Sequence, residues 1–290
     1  KSASLVGVDK SPVGVEPSWP GLPCNSRDQE QLMRYLMVFV LVGMPSWANS
    51  DEWIPPKNPD PSAILQEARR DTADKKYSVA LAKYVWFHEN ALSIQPAQYG
   101  VRLSFALMGW HELGKQYPPA LLKLEETRDK AAAKVREGKS VRESFIDLAA
   151  INRTLGEESR TKDDFEALEA KDPETARQIV EIAQAALVRG KAYKLLGKYV
   201  DPKRDYARIS ESYRQLRKLN ENPAFKKGEL DFAGKKFAND AATLVAILVV
   251  NDRREEAEKI AAAARVEWND AAFHASLDDA LKGIVPDPWP

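Results

Sequence analysis

Tyr77-Ser78-Val79-Ala80-Leu81 recurs forty residues later as Tyr117-Pro118-Pro119-Ala120-Leu121. Each copy opens a segment whose apolar residues return at helical spacing. In each, a small residue stands three positions after an aromatic one. An alanine in the first turn lets a neighbouring helix approach closely, so the repeated stretch reads as the second helix of a hairpin used at least twice.

Outward from these two stretches, helix signals follow one another to residue 282. Asp60-Pro61, Asp172-Pro173 and Asp201-Pro202 each place a capping carboxylate before a proline suited to the first helical position. Ser140 with Glu143, and Thr161 with Asp164, resemble capping boxes. Gly114, Gly138, Gly156, Gly197 and Gly283 each follow a periodic apolar stretch, where helices end. Together these marks predict about eleven helices: 61–73, 76–92, 97–113, 118–137, 141–155, 162–170, 173–196, 202–219, 231–250, 253–267 and 270–282. No stretch alternates apolar and polar residues between turns, so no sheet is expected. Short loops make successive helices antiparallel neighbours.

The pattern resembles the tetratricopeptide repeat family, whose helix pairs carry Leu-Gly and Tyr in the first helix and Tyr-x-x-Ala-Leu-x-x-Tyr in the second. The matching residues are Tyr77, Ala80, Leu81 and Tyr84, then Leu107, Tyr117, Ala120 and Leu121. A third set is Leu244 and Val245, then Ala257 and Ala264 beyond the turn Asn251-Asp252-Arg253-Arg254. Leu196-Gly197-Lys198-Tyr199 echoes Leu113-Gly114-Lys115-Gln116-Tyr117. The spacing of forty departs from the family's thirty-four, Met108 stands where the family has glycine, and 140–235 fit poorly. The resemblance implies an all-α fold, a right-handed superhelix of antiparallel helix pairs (a TPR-like α-solenoid) spanning 61–290. The inner, concave face of such a superhelix is the expected binding surface, for a peptide, a protein or an anionic polymer.

The first sixty residues read differently. Residues 1–32 mix Gly, Pro and Ser without period, as an untranslated or disordered leader. Met33-Arg34-Tyr35, the apolar run 36–44 and Pro45-Ser46-Trp47-Ala48 form the basic, apolar and small-residue parts of a secretory signal peptide, 33–48. Translation is expected to start at Met33 and cleavage to fall after Ala48, leaving Asn49 first. The expected location is the periplasm of a Gram-negative bacterium, or outside it. The apolar run is too short to span a bilayer. Residues 49–60, with Pro55, Pro56 and Pro59, read as extended. Cys24 is the one cysteine, which excludes an internal disulfide, a cysteine zinc site and thiol chemistry in the mature part.

Residues 77–117 concentrate aromatic side chains: Tyr77, Tyr84, Trp86, Phe87, Tyr99, Phe105, Trp110 and Tyr117. A helix carrying Tyr84, Trp86, Phe87 and His88 presents large groups on more than one face. One face packs within its pair; the other meets the next repeat or a ligand. The ligand-facing reading names Trp86, His88, Asn90, Arg102, Phe105, Trp110 and Glu112, with Gly109 leaving space beside them. His88-Glu89 and His111-Glu112 each begin a zincin-like motif but lack its second histidine, so no metal site is expected. No nucleotide-binding glycine loop or Gly-x-Ser-x-Gly occurs, and no cofactor is expected.

Basic and acidic residues balance at 43 each, which excludes a global field favouring nucleic acid. They are nevertheless segregated. Residues 143–174 hold ten acidic and four basic residues; 189–218 hold ten basic and three acidic, interleaved with Tyr193, Tyr199, Tyr206 and Tyr213. Arg189, Lys191, Lys194, Lys198, Lys203 and Arg204 are the candidate basic face, for an acidic protein, an anionic glycan or a lipid headgroup. Pairing between the two segments is the competing reading. The sequence favours an exported, non-enzymatic interaction scaffold. The alternative is an exported helical enzyme acting on a glycan or peptide, with Glu89 and Glu112 as its acid/base carboxylates.

Overall fold

Aspartate before proline caps three helices as its chemistry dictates. A carboxylate just ahead of a helix accepts from the free N–H groups of the first turn, and proline there forfeits no bond. Asp60 Oδ1 accepts from Ser62 N at 2.9 Å, Asp172 Oδ1 from Thr175 N at 3.1 Å and Asp201 Oδ1 from Arg204 N at 3.0 Å.

A computed structural model describes residues 53–220 and 232–289. Among them run thirteen α-helices and no strand. They are α1 (Pro61–Ala73), α2 (Tyr77–Ile94), α3 (Tyr99–Arg102), α4 (Phe105–Gln116), α5 (Pro118–Arg136), α6 (Val141–Leu155), α7 (Glu158–Lys171), α8 (Pro173–Arg189), α9 (Tyr193–Gly197), α10 (Pro202–Asn220), α11 (Phe232–Val250), α12 (Arg254–Glu267) and α13 (Ala271–Ala280). The leader, the signal segment and Cys24 lie outside the described residues. No helix among those described is long and apolar enough to cross a membrane.

Packing is between near neighbours in sequence. α1 lies on α2, α4 on α5, α5 on α6, α7 on α8, α10 on α11 and α11 on α12, and further contacts join helices next but one, such as α4 with α6 and α11 with α13. The core follows in three successive clusters. The first, around Tyr84, Phe87, Leu107, Trp110 and Leu124, joins α1, α2, α4, α5 and α6. The second, around Phe145, Phe165, Ile179 and Leu187, joins α5 to α9. The third, around Tyr213, Phe237, Val245 and Phe273, joins α10 to α13. α11 is apolar on nearly every side, as a helix packed on several neighbours must be. Burying each such large side chain contributes roughly 1.5–3 kcal/mol.

The repeated alanines sit where the sequence places them: Ala80 and Ala120 are both fully buried. Ala120 also offers its carbonyl to Trp110 Nε1 at 2.8 Å, which satisfies the indole inside the core. Ahead of α1, Trp53 lies edge-on to Trp86 with ring centroids 6.1 Å apart, and its own ring faces Lys83 Nζ at 5.8 Å. Lys83 is buried and held by Asp71 at 2.7 Å and Glu67 at 2.8 Å.

Several boundaries differ from the sequence expectation. The helix expected over 97–113 is a 3₁₀ turn (Pro96–Gln98), α3 and α4, parted at Leu103 and Ser104, where Ser104 leaves the helical region (φ −135°, ψ −90°). The one expected over 173–196 breaks at Lys191, which takes φ 54°, before α9. Ser140 is left-handed (φ 43°, ψ 50°) and makes no capping bond, because a capping hydroxyl acts from extended backbone. Thr161 lies inside α7, fully committed to the core, where its Oγ1 accepts from Asn152 Nδ2 at 3.0 Å. Gly138, Gly156 and Gly283 have positive φ after their helices, as expected. Gly114 instead lies within α4, where a Cβ would come within 3.1 Å of the Leu121 backbone.

Candidate functional site

Of the seven side chains expected to face a ligand in the aromatic segment, most have partners inside the fold. Trp110 is fully buried and His88 nearly so, with their rings edge to face at 6.1 Å. Trp86 is half-buried beneath Trp53. Asn90 turns its amide back on its own helix, donating to the Trp86 carbonyl at 2.9 Å. The space expected beside Gly109 is filled: a Cβ there would lie 2.6 Å from the Tyr84 hydroxyl. Phe105 is 61% exposed, next to the exposed Met108 one turn on.

Arg102 is not a free recognition group. Its Nη1 and Nη2 meet the two Asp147 oxygens at 2.6 and 2.8 Å, and its Nε donates to the His88 carbonyl at 2.6 Å. The His88 ring, with Nε2 3.2 Å from the same guanidinium, is driven down to a pKa of about 4, first by burial and then by the Arg102 charge. Asp147, 3.8 Å away, acts in the opposite direction.

The acid/base pair of the enzymatic alternative is divided between two helices, Glu89 on α2 and Glu112 on α4, both exposed. Lys115 hydrogen-bonds Glu112 at 2.6 Å and holds its carboxyl below the ordinary range, opposite to what a general acid at neutral pH requires. Among the described residues no group of three His, Cys, Asp or Glu side chains could hold a metal ion.

The basic segment builds a larger feature. An open cleft of about 1170 Å³ lies between α8, the turn after α9, the first two-thirds of α10 and α12. Seven cations line it: Arg177, Lys198, Lys203, Arg204, Arg214, Arg253 and Lys259. Against them stand four acids, Asp201, Glu211, Glu256 and Glu267. Tyr206 supplies partly exposed aromatic surface, while Tyr199 is buried, with Arg177 standing over its ring at 5.3 Å.

Internal pairs fix the walls. Arg253 grips Glu256 through both oxygens, at 2.7 and 2.9 Å, and donates to the Val200 carbonyl at 2.9 Å, tying α12 to the start of α10. Arg214 holds Glu267 in the same two-pronged way at 3.0 Å, with Ser210 donating to Glu267 at 3.0 Å; the Arg214 bond keeps the Glu267 carboxyl below its usual range. Beside it, burial and the Glu267 charge push Tyr206 up to about 12, so the phenol stays protonated. Lys203 and Lys259 are exposed and neither closes an ion pair among the described residues, though the Arg253 bond and, with it, the Lys259 charge hold the Glu256 carboxyl below its usual range. A carboxylate entering the cleft would meet two ammonium groups that no direct ion pair occupies.

Three of the six expected basic-face residues, Lys198, Lys203 and Arg204, line this cleft. The other three do not: Arg189 pairs with Glu158 at 3.5 Å, Lys194 with Asp252 at 3.1 Å, and Lys191 sits in the turn after α8, outside the cleft lining. Lys198 also pairs with Glu169 at 2.9 Å, so the acidic and basic segments do partly neutralise each other. Arg253, Lys259 and Glu267 were not singled out from the sequence, because they reach the cleft from a helix some fifty residues further along. The turn Arg253-Arg254 was the one local signal.

No family model, no curated protein and no solved structure matches the chain, so the chemistry of the cleft rests on its own residues.

Proposed function

We propose that the chain is an exported, non-enzymatic binding scaffold, its helix pairs wound as a tetratricopeptide-like right-handed superhelix, and that the basic cleft takes an acidic protein segment. The observation that carries this reading is the pair Lys203 and Lys259, exposed and held in no direct ion pair, in an open cleft whose other cations are anchored to carboxylates and carbonyls. Anchored arginines keep the walls in place before binding, so little ordering is left to oppose association. The four resident carboxylates favour a peptide with spaced acids over a uniformly sulfated glycan, which they would repel. Tyr206, partly exposed, adds amphipathic surface of the kind that dominates protein contacts.

The test is titration of a glutamate-rich peptide against the full chain at rising ionic strength. Binding should weaken as salt screens the cleft, and the double substitution Lys203→Glu, Lys259→Glu should reduce it by roughly tenfold or more. Equal affinity for the substituted chain would reject the cleft as the site. Export has its own test: expression from Met33 in a Gram-negative host should yield periplasmic protein beginning at Asn49. An intact Met33 in the soluble fraction would reject it.

A further inference from the structure

On the other side of α10 lies a second concavity, and part of it is filled by the chain itself. Beyond α13, residues 284–289 have no regular secondary structure and lie against α11. Asn239 of α11 holds this segment by its backbone alone. Its Nδ2 donates to the Asp287 carbonyl at 2.7 Å, and its Oδ1 accepts from the Trp289 N–H at 3.0 Å. One side-chain amide thus pairs with the carbonyl of one residue and the N–H of the second residue after it. Extended backbone of any sequence offers that pattern. Trp289 then lies edge-on to Phe232 with ring centroids 5.9 Å apart, and Phe232 remains 49% exposed.

The segment does not fill the concavity. About 440 Å³ stay open between α8, α10 and α11, bounded by Trp289 at one end. Its charged lining is internally balanced, Arg208 with Glu181 at 3.0 Å and Lys236 with Asp240. At its floor Thr243 is 4% exposed, and its hydroxyl has no hydrogen-bond partner. That hydroxyl is itself shut off from solvent, so what the open volume presents to an incoming chain is Asn239 and the exposed face of Phe232.

We infer that this concavity is a docking groove for an extended peptide of a partner protein, and that residues 286–289 occupy it in cis as a stand-in. Asn239 reads the backbone and Phe232 takes an aromatic side chain two residues beyond the bonded carbonyl. The partner's peptide therefore carries an aromatic residue at that position and needs no net charge, unlike the ligand of the basic cleft. The two surfaces share no lining residue. A tethered segment competes at an effective concentration near the millimolar range, so the intact chain answers only to peptides that outbind it.

The experiment uses a fluorescent peptide of residues 284–290 as probe. It should bind the Trp289→Ala chain, and a chain ending at Val285, at least roughly tenfold more tightly than the intact chain, because the tethered competitor is weakened or gone. Adding Asn239→Ala to either should remove that binding, while Lys203→Glu, Lys259→Glu should leave it unchanged. Absence of binding to both opened chains, or binding indifferent to Asn239→Ala, overturns the inference. Concentration-dependent dimerisation of the intact chain that Trp289→Ala abolishes also overturns it, since the occupant would then be a second copy's segment.

Discussion

Arg102 and Asp147 meet through two hydrogen bonds, 2.6 and 2.8 Å, that fasten the four-residue α3 to α6 across forty-five residues of chain. The pair is nine-tenths buried on the arginine side, and the same guanidinium holds the His88 carbonyl. Arg102→Ala would strand a largely buried carboxylate and a carbonyl together, and should lower stability by roughly 2–3 kcal/mol. Urea denaturation of Arg102→Ala, Asp147→Ala and the double variant measures it. Strong coupling, with the double variant far less damaged than the two losses added, is the expected outcome; additive losses would show that the pair does not act as a unit.

His88 makes stability depend on pH with a definite sign. Its folded pKa of about 4 lies below the ordinary 6.5, so between those values unfolding takes up a proton. Stability through this group is full above about pH 6.5 and is lost as pH falls towards 4, by at most on the order of 3 kcal/mol. His88→Gln should flatten that slope. Denaturation at pH 7.5, 5.5 and 4.5 compares the two chains, and equal slopes would contradict the assignment.

Close helix contacts give a third expectation. Gly114→Ala improves helix propensity by about 1 kcal/mol, but its methyl would lie 3.0–3.1 Å from Leu121 Cβ, Cα and N, and backbone cannot step aside cheaply. The net effect should be a loss of about 1 kcal/mol. Ala80→Phe and Ala120→Phe overpack fully buried positions and should each cost roughly 1–3 kcal/mol. Unchanged melting in all three would contradict the register of α1–α2 and α4–α5.

What the sequence made legible is what local chemistry decides. α1 and α6 run over 61–73 and 141–155, as the Asp60-Pro61 cap and the closing Gly156 indicate. Tertiary partners decided the rest. Thr161 looks like a cap and is a buried partner of Asn152; Gly114 looks like a terminus and is a packing contact. The break at Ser104 carries no proline or glycine of its own, yet it separates α3 from α4 beside Arg102 and its bonds to Asp147. The aromatic segment drew attention by composition, but Tyr84, Phe87 and Trp110 are core, which large aromatics fill as readily as they fill grooves. Half of the basic face lay in the cleft because one turn and one helix carry Lys198, Lys203 and Arg204. The facing wall, Arg253 and Lys259, is close only in space.

Lysine footprinting tests the central claim most directly. With a saturating glutamate-rich peptide, acetylation of Lys203 and Lys259 in the full chain should slow several-fold, because both ammonium groups would be paired in the cleft. Lys191 and Lys194, equally exposed but outside the cleft, should react at an unchanged rate. Slowing of Lys191 and Lys194 alongside Lys203, with Lys259 unaffected, would mean that the peptide follows the linear run of basic residues and that the cleft is not the site.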